Sequence, residues 1–402
     1  MNTSFSAAPQ ALGYLYQARV ALFLLLQCPD EAIVKVEALD DIEVTDPLAA
    51  AKLKLTQLKH HVSKKAELTD HSSDLWKSIR VWAEQIADKR FALQDTKLYL
   101  VTTATAPPLS VASKLSVRDR EPSVAEAQLR NVAMTSSNKA LRPSFDAFLA
   151  LTAVQRMSLV ASITVVDNHA NIDEYKAKIR QHIRPAVRQQ HVGALYERLE
   201  GWWFDRIVQH LLHSVTTPYI SAFELNEKIA SLAEGFHVES LPIDFLHQEP
   251  GEEYVAESEK KIFIRQLKAI DVSSRAVGKA ILDYYRAFEQ RARWLDDGLL
   301  APGELTDYEA TLVDEWERYF DSVCGALSKT ATNEELITLG LKVLRWAELE
   351  ALHLKIRPRV DAEFIRRGSF HMLADRAPTP PVYWHPKFIE TMVSAVVSVR
   401  TS

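Results

Sequence analysis

The sequence predicts an α/β domain over residues 1–171 followed by an all-α domain over 172–402. Three observations predict this division. Residues 33–37, 41–45 and 53–60 alternate apolar and polar side chains, the pattern of half-buried strands. Residues 98–103 and 159–167 are rich in β-branched side chains and read as two further strands. From Ile172 onward apolar residues recur three and four apart almost without interruption, and strand-like alternation does not return.

Taken in order, residues 1–9 are a loose start. Residues 10–27 form an apolar helix that Cys28-Pro29-Asp30 stops, because Pro cannot continue it. The three alternating strands follow. Several N-cap candidates between Thr69 and Asp74 start an amphipathic helix over 74–88, with Leu75, Trp76, Ile79, Val81, Trp82 and Ile86 at helical spacing. The strand over 98–103 ends in Thr102 and Thr103, which read either as phosphate contacts or as plain strand-end hydroxyls. Residues 107–144 are polar and carry Lys114, Arg118, Arg120, Arg130, Lys139 and Arg142. They are a candidate phosphate-contacting surface or a solvated charged face. A helix over 145–158 leads into the strand over 159–167. The second half reads as helices over 173–182, 192–214, 221–232, 257–270, 273–297, 306–324 and 333–352, with the acidic 247–253 as an exposed linker.

The polar members of the first three strands are chemically specific: Glu37, Asp40, Asp41, Gln57 and Lys59. Strand residues two apart share a face, so Gln57 and Lys59 point the same way, as do Asp41 and Glu43. If these strands are neighbours, carboxylates, an amide and an ammonium converge. Such carboxylates repel one another unless a divalent cation lies between them. Mg²⁺ takes oxygen ligands from carboxylates and substrate phosphate, and it polarises the phosphoryl group and activates water. A nearby Lys stabilises the developing negative charge or positions that water. The set therefore suits phosphodiester cleavage, with a charged outer face of an amphipathic meander as the alternative.

Acid, Asp, then Gln-x-Lys on the third strand resembles the PD-(D/E)xK nuclease fold, in the variant where Gln replaces an acid. Gly13-Tyr14-Leu15-Tyr16-Gln17, Glu37-Ala38-Leu39-Asp40-Asp41 and Gln57-Leu58-Lys59-His60-His61 are similar to the double-stranded DNA endonuclease domain of CBASS anti-phage effectors, which Lamassu and other ABC-three-component systems also carry. The resemblance implies a restriction-endonuclease-like domain with a mixed central sheet flanked by helices. It implies Glu37, Asp40, Asp41 and Gln57 as ligands of Mg²⁺ or Mn²⁺, Lys59 as the catalytic amine, and Gln17 near the site. Which of Asp40 and Asp41 is the main ligand stays open; Asp41 is favoured because it opens the second strand.

Residues 283–294, 308–316 and 368–386 resemble the C-terminal region of ABC-three-component proteins. That resemblance implies an assembly module that contacts an SMC- or Rad50-like ATPase and a small middle subunit. It further implies an endonuclease acting on double-stranded DNA, idle until foreign DNA is sensed and activated by self-association. The sensor domain of CBASS effectors is an α/β module, and the second half shows no strand alternation of that kind, which disfavours nucleotide sensing.

The composition sets bounds. The chain has 402 residues, 47% hydrophobic and 25% charged, which suits two or three globular domains. The net charge of −5 means that DNA binding needs a local basic surface. Cys28 and Cys324 read as buried free thiols. No stretch has the length of a membrane span, so the chain is expected to be cytoplasmic. His371, His385 and Asp375 look metal-like, but two His in unlike loops are a weak signal. Walker A, Gly-x-Ser-x-Gly and His-Glu-x-x-His motifs are absent, so ATP hydrolysis would come from a partner. The other readings are a non-catalytic adaptor that docks DNA or a partner, and a ribonuclease with the same chemistry.

Overall fold

The computed structural model describes residues 8–59, 66–213, 218–328 and 330–390, with side chains from residue 11. His60 and His61 of the third motif, and residues 62–65, lie outside the described residues. The chain divides into two compact units, 1–232 and 233–402.

The first unit is mixed α/β around a six-stranded sheet. The strands are β1 (Ile33–Val36), β2 (Ile42–Thr45), β3 (Leu53–Lys59), β4 (Thr96–Thr102), β5 (Ile163–Val166) and β6 (Ile220–Ser221), in spatial order β5-β4-β3-β2-β1-β6. Strands β1, β2 and β3 form an antiparallel meander, while β3, β4 and β5 are parallel. Parallel neighbours need crossovers. The helix α2 (Ser73–Ala87) supplies the first and four helices between Val111 and Ser162 supply the second. Ser72 caps α2, its side chain accepting from the Asp74 N–H.

Strand alternation explains the two faces. Leu55, Leu98, Leu100, Ile163 and Val165 line one face and pack with Trp76, Ile79, Trp82, Phe145 and Phe148 in one buried cluster. Trp76 meets Phe145 edge-on at 4.6 Å between ring centroids. Val34, Val36, Ile42 and Val44 line the other face and are buried. The helix α1 (Ala8–Leu25), apolar nearly all round, packs on this side of β1 and β2.

Three features differ from the sequence expectations. Residues 159–162 end a helix, Ala153–Ser162, and only Ile163–Val166 is strand. The cause is a capping box in which Thr152 and Gln155 satisfy each other's backbone N–H groups and start the helix. The expected helix over 145–158 is correspondingly broken at Leu151–Thr152. Secondly, the compact unit extends past the position near Asn171 at which the sequence analysis closes its first domain. Strand β6 pairs with β1 through Ile33–Ser221 and Val34–Ile220. The Val36 N–H donates to His210 Nε2 at 3.2 Å, and Trp203 Nε1 donates to the Ala18 carbonyl at 2.7 Å. Thirdly, part of the basic segment serves the fold. Arg120 donates to the Ala161 and Ile163 carbonyls, and Lys114, Arg130 and Arg142 pair with Glu121, Glu126 and Asp146. Arg118, Arg130, Lys139 and Arg142 remain exposed, as both readings of the segment require. Thr102 is also fully buried, its hydroxyl accepting from the Ala104 N–H, which is the strand-end reading.

The second unit contains only helices among its described residues. Ser274–Asp296 and Glu363–Ala374 form its closest pair, meeting where Gly368 lies against the Asp283 carbonyl. Glu309 accepts from both Arg291 and Arg376 in its interior. The expected helix over 257–270 is two, Glu252–Ser258 and Ile262–Ala269, and that over 333–352 ends in a π turn, Trp346–Glu350. His371 lies on a helix rather than in a loop and is 1% exposed. Asp375 accepts from the Ile262 N–H at 2.7 Å and from Tyr284 Oη at 3.2 Å, so it serves as a cap and not with His371 and His385. Cys324 is buried and Cys28 half-buried, and both are free thiols. No described helix is long and apolar enough to cross a membrane.

Candidate active site

The hairpin between β1 and β2 builds the site. Its ladder continues past Val36–Ile42, the Glu37 N–H donating to the Asp41 carbonyl at 3.1 Å. Only Ala38, Leu39 and Asp40 close the turn, and this forces Glu37 to φ +54°, a left-handed conformation rarely adopted by a residue with a Cβ. Strain of this kind, of order 1 kcal/mol or more, persists where the surroundings over-determine it, often at functional sites.

The neighbouring β3 brings the other members. The β2–β3 register of Ile42 with Thr56, continued by one position, places Asp41 beside Gln57. Asp41 Oδ2 accepts from the Leu58 N–H at 2.6 Å. Lys59 Nζ donates to Gln57 Oε1 at 2.7 Å, which fits two residues on one face of a strand. Lys59 also acts on Asp41 and Glu37, its positive charge favouring their ionised forms. Gln17 of α1 hydrogen-bonds to both carboxylates. Its own Oε1 is buried without a partner among the described residues. Burial first, and then mutual repulsion with Asp41, raises the Glu37 carboxyl above its ordinary range. Burial likewise raises Asp41.

Asp40 takes a different place. It is 5% exposed, and three N–H groups point at its oxygens. Gln57 Nε2 and the Asp41 N–H reach Oδ1, and Trp82 Nε1 of α2 reaches Oδ2 at 2.7 Å. Burial outweighs these donors and pushes the Asp40 carboxyl up to about 7. Glu37, Asp40 and Asp41 therefore do not form one coordination group, and among the described residues no three His, Cys, Asp or Glu side chains do. Asp40 holds Gln57 from behind. Glu43, expected on the Asp41 face, is paired with Lys35 at 2.7 Å and stands apart.

The donors that remain are two carboxylates, Glu37 and Asp41, and two amide oxygens, Gln57 Oε1 and the unpartnered Gln17 Oε1. All are hard oxygen donors, and burial disfavours the charged form of both carboxyls, a cost that a divalent cation between them would offset, so the set fits Mg²⁺ or Mn²⁺. Trp82 and the Leu58 N–H were not legible as members of the site. Trp82 carried one signal: a core Trp must find an acceptor for its indole N–H.

Asp40 supplies a test of this geometry. Its folded carboxyl, at about 7, lies above the 3.8 of the free side chain. Its contribution to stability is thus full below about pH 4 and is lost as pH rises through about 7. Asp40→Asn removes that loss. The melting temperature of the variant relative to the parent should rise between pH 5 and pH 8 in thermal melts. A difference that does not change with pH would show that Asp40 is not held as described.

Comparison with known proteins bears on the other unit. Residues 263–392 match the family model described as C-terminal domain 7 of the ABC-three component systems. The second unit thus carries a domain similar to that one, and the passages at 283–294, 308–316 and 368–386 all fall inside the match. No curated protein matches the chain. Among solved structures, the Cap4 SAVED/CARF-domain containing receptor of Moraxella osloensis is 13% identical over 69% of this chain and 68% of its own, with a TM-score of 0.36. A likeness of that size carries no argument about fold or function.

Proposed function

We propose that the first unit is a metal-dependent endonuclease of the PD-(D/E)xK type acting on DNA, and that the chain is the effector of an anti-phage ABC-three-component complex. The observation that carries this reading is the side-by-side placement of Asp41, Gln57 and Lys59. The amine donates to the amide at 2.7 Å and lies on the same side of the sheet as the acid. The match over 263–392 supports the assembly role of the second unit and, with it, a partner ATPase of SMC or Rad50 type and a small middle subunit.

Glu37, Asp41 and Gln57 would hold Mg²⁺, with Gln17 Oε1 as a further donor. The ion would supply Lewis-acid polarisation of the phosphoryl group and a more acidic water. Lys59 stabilises negative charge that develops on the phosphoryl oxygens. Asp40 and Trp82 keep Gln57 and the hairpin in place. A free nuclease would cut the host chromosome, so the complex restrains the chain until foreign DNA is sensed. Self-association then pairs two sites for the two strands of a duplex.

A nicking assay on supercoiled plasmid tests the reading, using the full chain alone and assembled with its partners. The expected result is nicked and linear DNA with Mg²⁺ or Mn²⁺ and none with EDTA. Intact plasmid under every condition, with DNA or partner binding retained, would instead favour the non-catalytic adaptor. RNA cut in preference to DNA would favour the ribonuclease.

A further inference from the structure

The helix that supplies Gln17 does not end at the site. From Ile33 to Glu37 the chain rises about 13 Å, at 3.3 Å per strand residue. From Gln17 to Leu25 the helix α1 rises about 12 Å, at 1.5 Å per residue. A short turn joins α1 to β1, so the two run antiparallel and Gln17 stands level with Glu37, as its hydrogen bond requires. Ala8 lies nine residues before Gln17, so α1 continues about 13 Å beyond the strand end. This projecting arm is a wall beside the two carboxylates.

The arm has an unusual surface. Tyr16 is buried, its hydroxyl donating to the Ala170 carbonyl at 3.0 Å. Tyr14 is 62% exposed, and Leu12 and Leu15 are exposed as well. Residues three apart on a helix are neighbours, and helical side chains lean toward the N-terminus, so Tyr14 stands one turn outward from Gln17. A Cβ at Gly13 would meet nothing within 4 Å, so the flank beside Tyr14 is open. The helix contains no Asp or Glu, in a chain with 53 of them. It adds nothing that would repel a phosphate backbone.

We propose that Tyr14 is a stacking platform for a nucleobase next to the phosphate held at the site, so that the duplex is cut where it carries an unpaired or locally opened segment. This rests on the nuclease reading of Glu37, Asp41, Gln57 and Lys59. A ring presented to solvent offers its face to a base, and a base inside a duplex has both faces covered. Stacking of this kind tolerates any sequence and is read as lost affinity on truncation to Ala.

The test uses the full chain and two oligonucleotides, a paired duplex and the same duplex with an unpaired stretch containing 2-aminopurine. Binding is measured with Mg²⁺ in Lys59→Ala protein, where cutting is at least about 100-fold slower, and cleavage in Lys59-containing protein. Adding Tyr14→Ala should weaken binding of the opened substrate about tenfold or more and remove the 2-aminopurine quenching. In cleavage it should raise KM with little change in kcat. Tyr14→Phe should restore the affinity that Tyr14→Ala loses. If Tyr14→Ala binds, quenches and cuts like the parent while Lys59→Ala abolishes cutting, the stacking proposal falls and the nuclease reading stands. If the protein with both residues intact neither binds nor cuts either substrate, both fall together.

Discussion

Lys59→Ala should lower Mg²⁺-dependent DNA cleavage by at least about 100-fold, the range seen when one pre-organised donor is removed from a transition state. Two effects act together. The first is loss of the ammonium that lies against Gln57 and faces the carboxylates. The second follows from the titration of Glu37 and Asp41. Both carboxyls are already raised by burial, and Lys59 holds each one down. Without Lys59 they rise further, so a larger share is protonated at neutral pH and unable to bind a cation. The lost activity should therefore recover in part as pH is raised. The fold should not suffer, because Lys59 is at the end of β3, is only half-buried and fills no core position. Steady-state cleavage from pH 6 to 9, alongside thermal melts, separates these effects. Undiminished cleavage by the variant would remove Lys59 from the reaction.

Gly368→Ala should destabilise the second unit by about 3 kcal/mol, the upper end of overpacking costs. At this position the helices Ser274–Asp296 and Glu363–Ala374 approach so closely that a Cβ would overlap the Asp283 carbonyl oxygen and the Ala287 side chain, and would lie 2.8 Å from the Asp283 carbonyl carbon. Two of these neighbours are backbone atoms, which cannot rotate away. Relief requires the helices to separate, and that would pull Arg291 away from Ser369, 3.3 Å distant. For a unit of this size the cost corresponds to a fall of about 6–12 °C in melting temperature. Calorimetry of the full chain should show that fall in the transition of the helical unit. An unshifted transition would mean that the two helices can part at little cost.

What the sequence made legible follows the range of each interaction. Gln57 and Lys59 share a face because a strand has a period of two, and two residues suffice to see it. The choice between Asp40 and Asp41 was not legible. It depends on a left-handed Glu37 and on Trp82, which donates to Asp40 from 42 positions away. The helix ending at Ser162 was readable in principle from Thr152 and Gln155, but the apolar run after them carries a strand's composition, and local capping prevailed. The limit of the first unit at residue 232 was out of reach, since Ile220 and Ser221 pair with a strand almost the whole unit away. In the basic stretch, the structural role of Arg120 was not legible, because charge in a sequence says nothing of whether it is already paired. Arg120 bonds to carbonyls more than forty positions distant.

The central claim is that Glu37 and Asp41 face one cation. Mn²⁺ binding followed by electron paramagnetic resonance tests it without any need for activity. The full chain should bind one Mn²⁺ at the site, and Glu37→Gln and Asp41→Asn should each lose that ion while the fold, checked by melting, is kept. Equal Mn²⁺ binding by the parent and both variants, or none by the parent, would contradict the account.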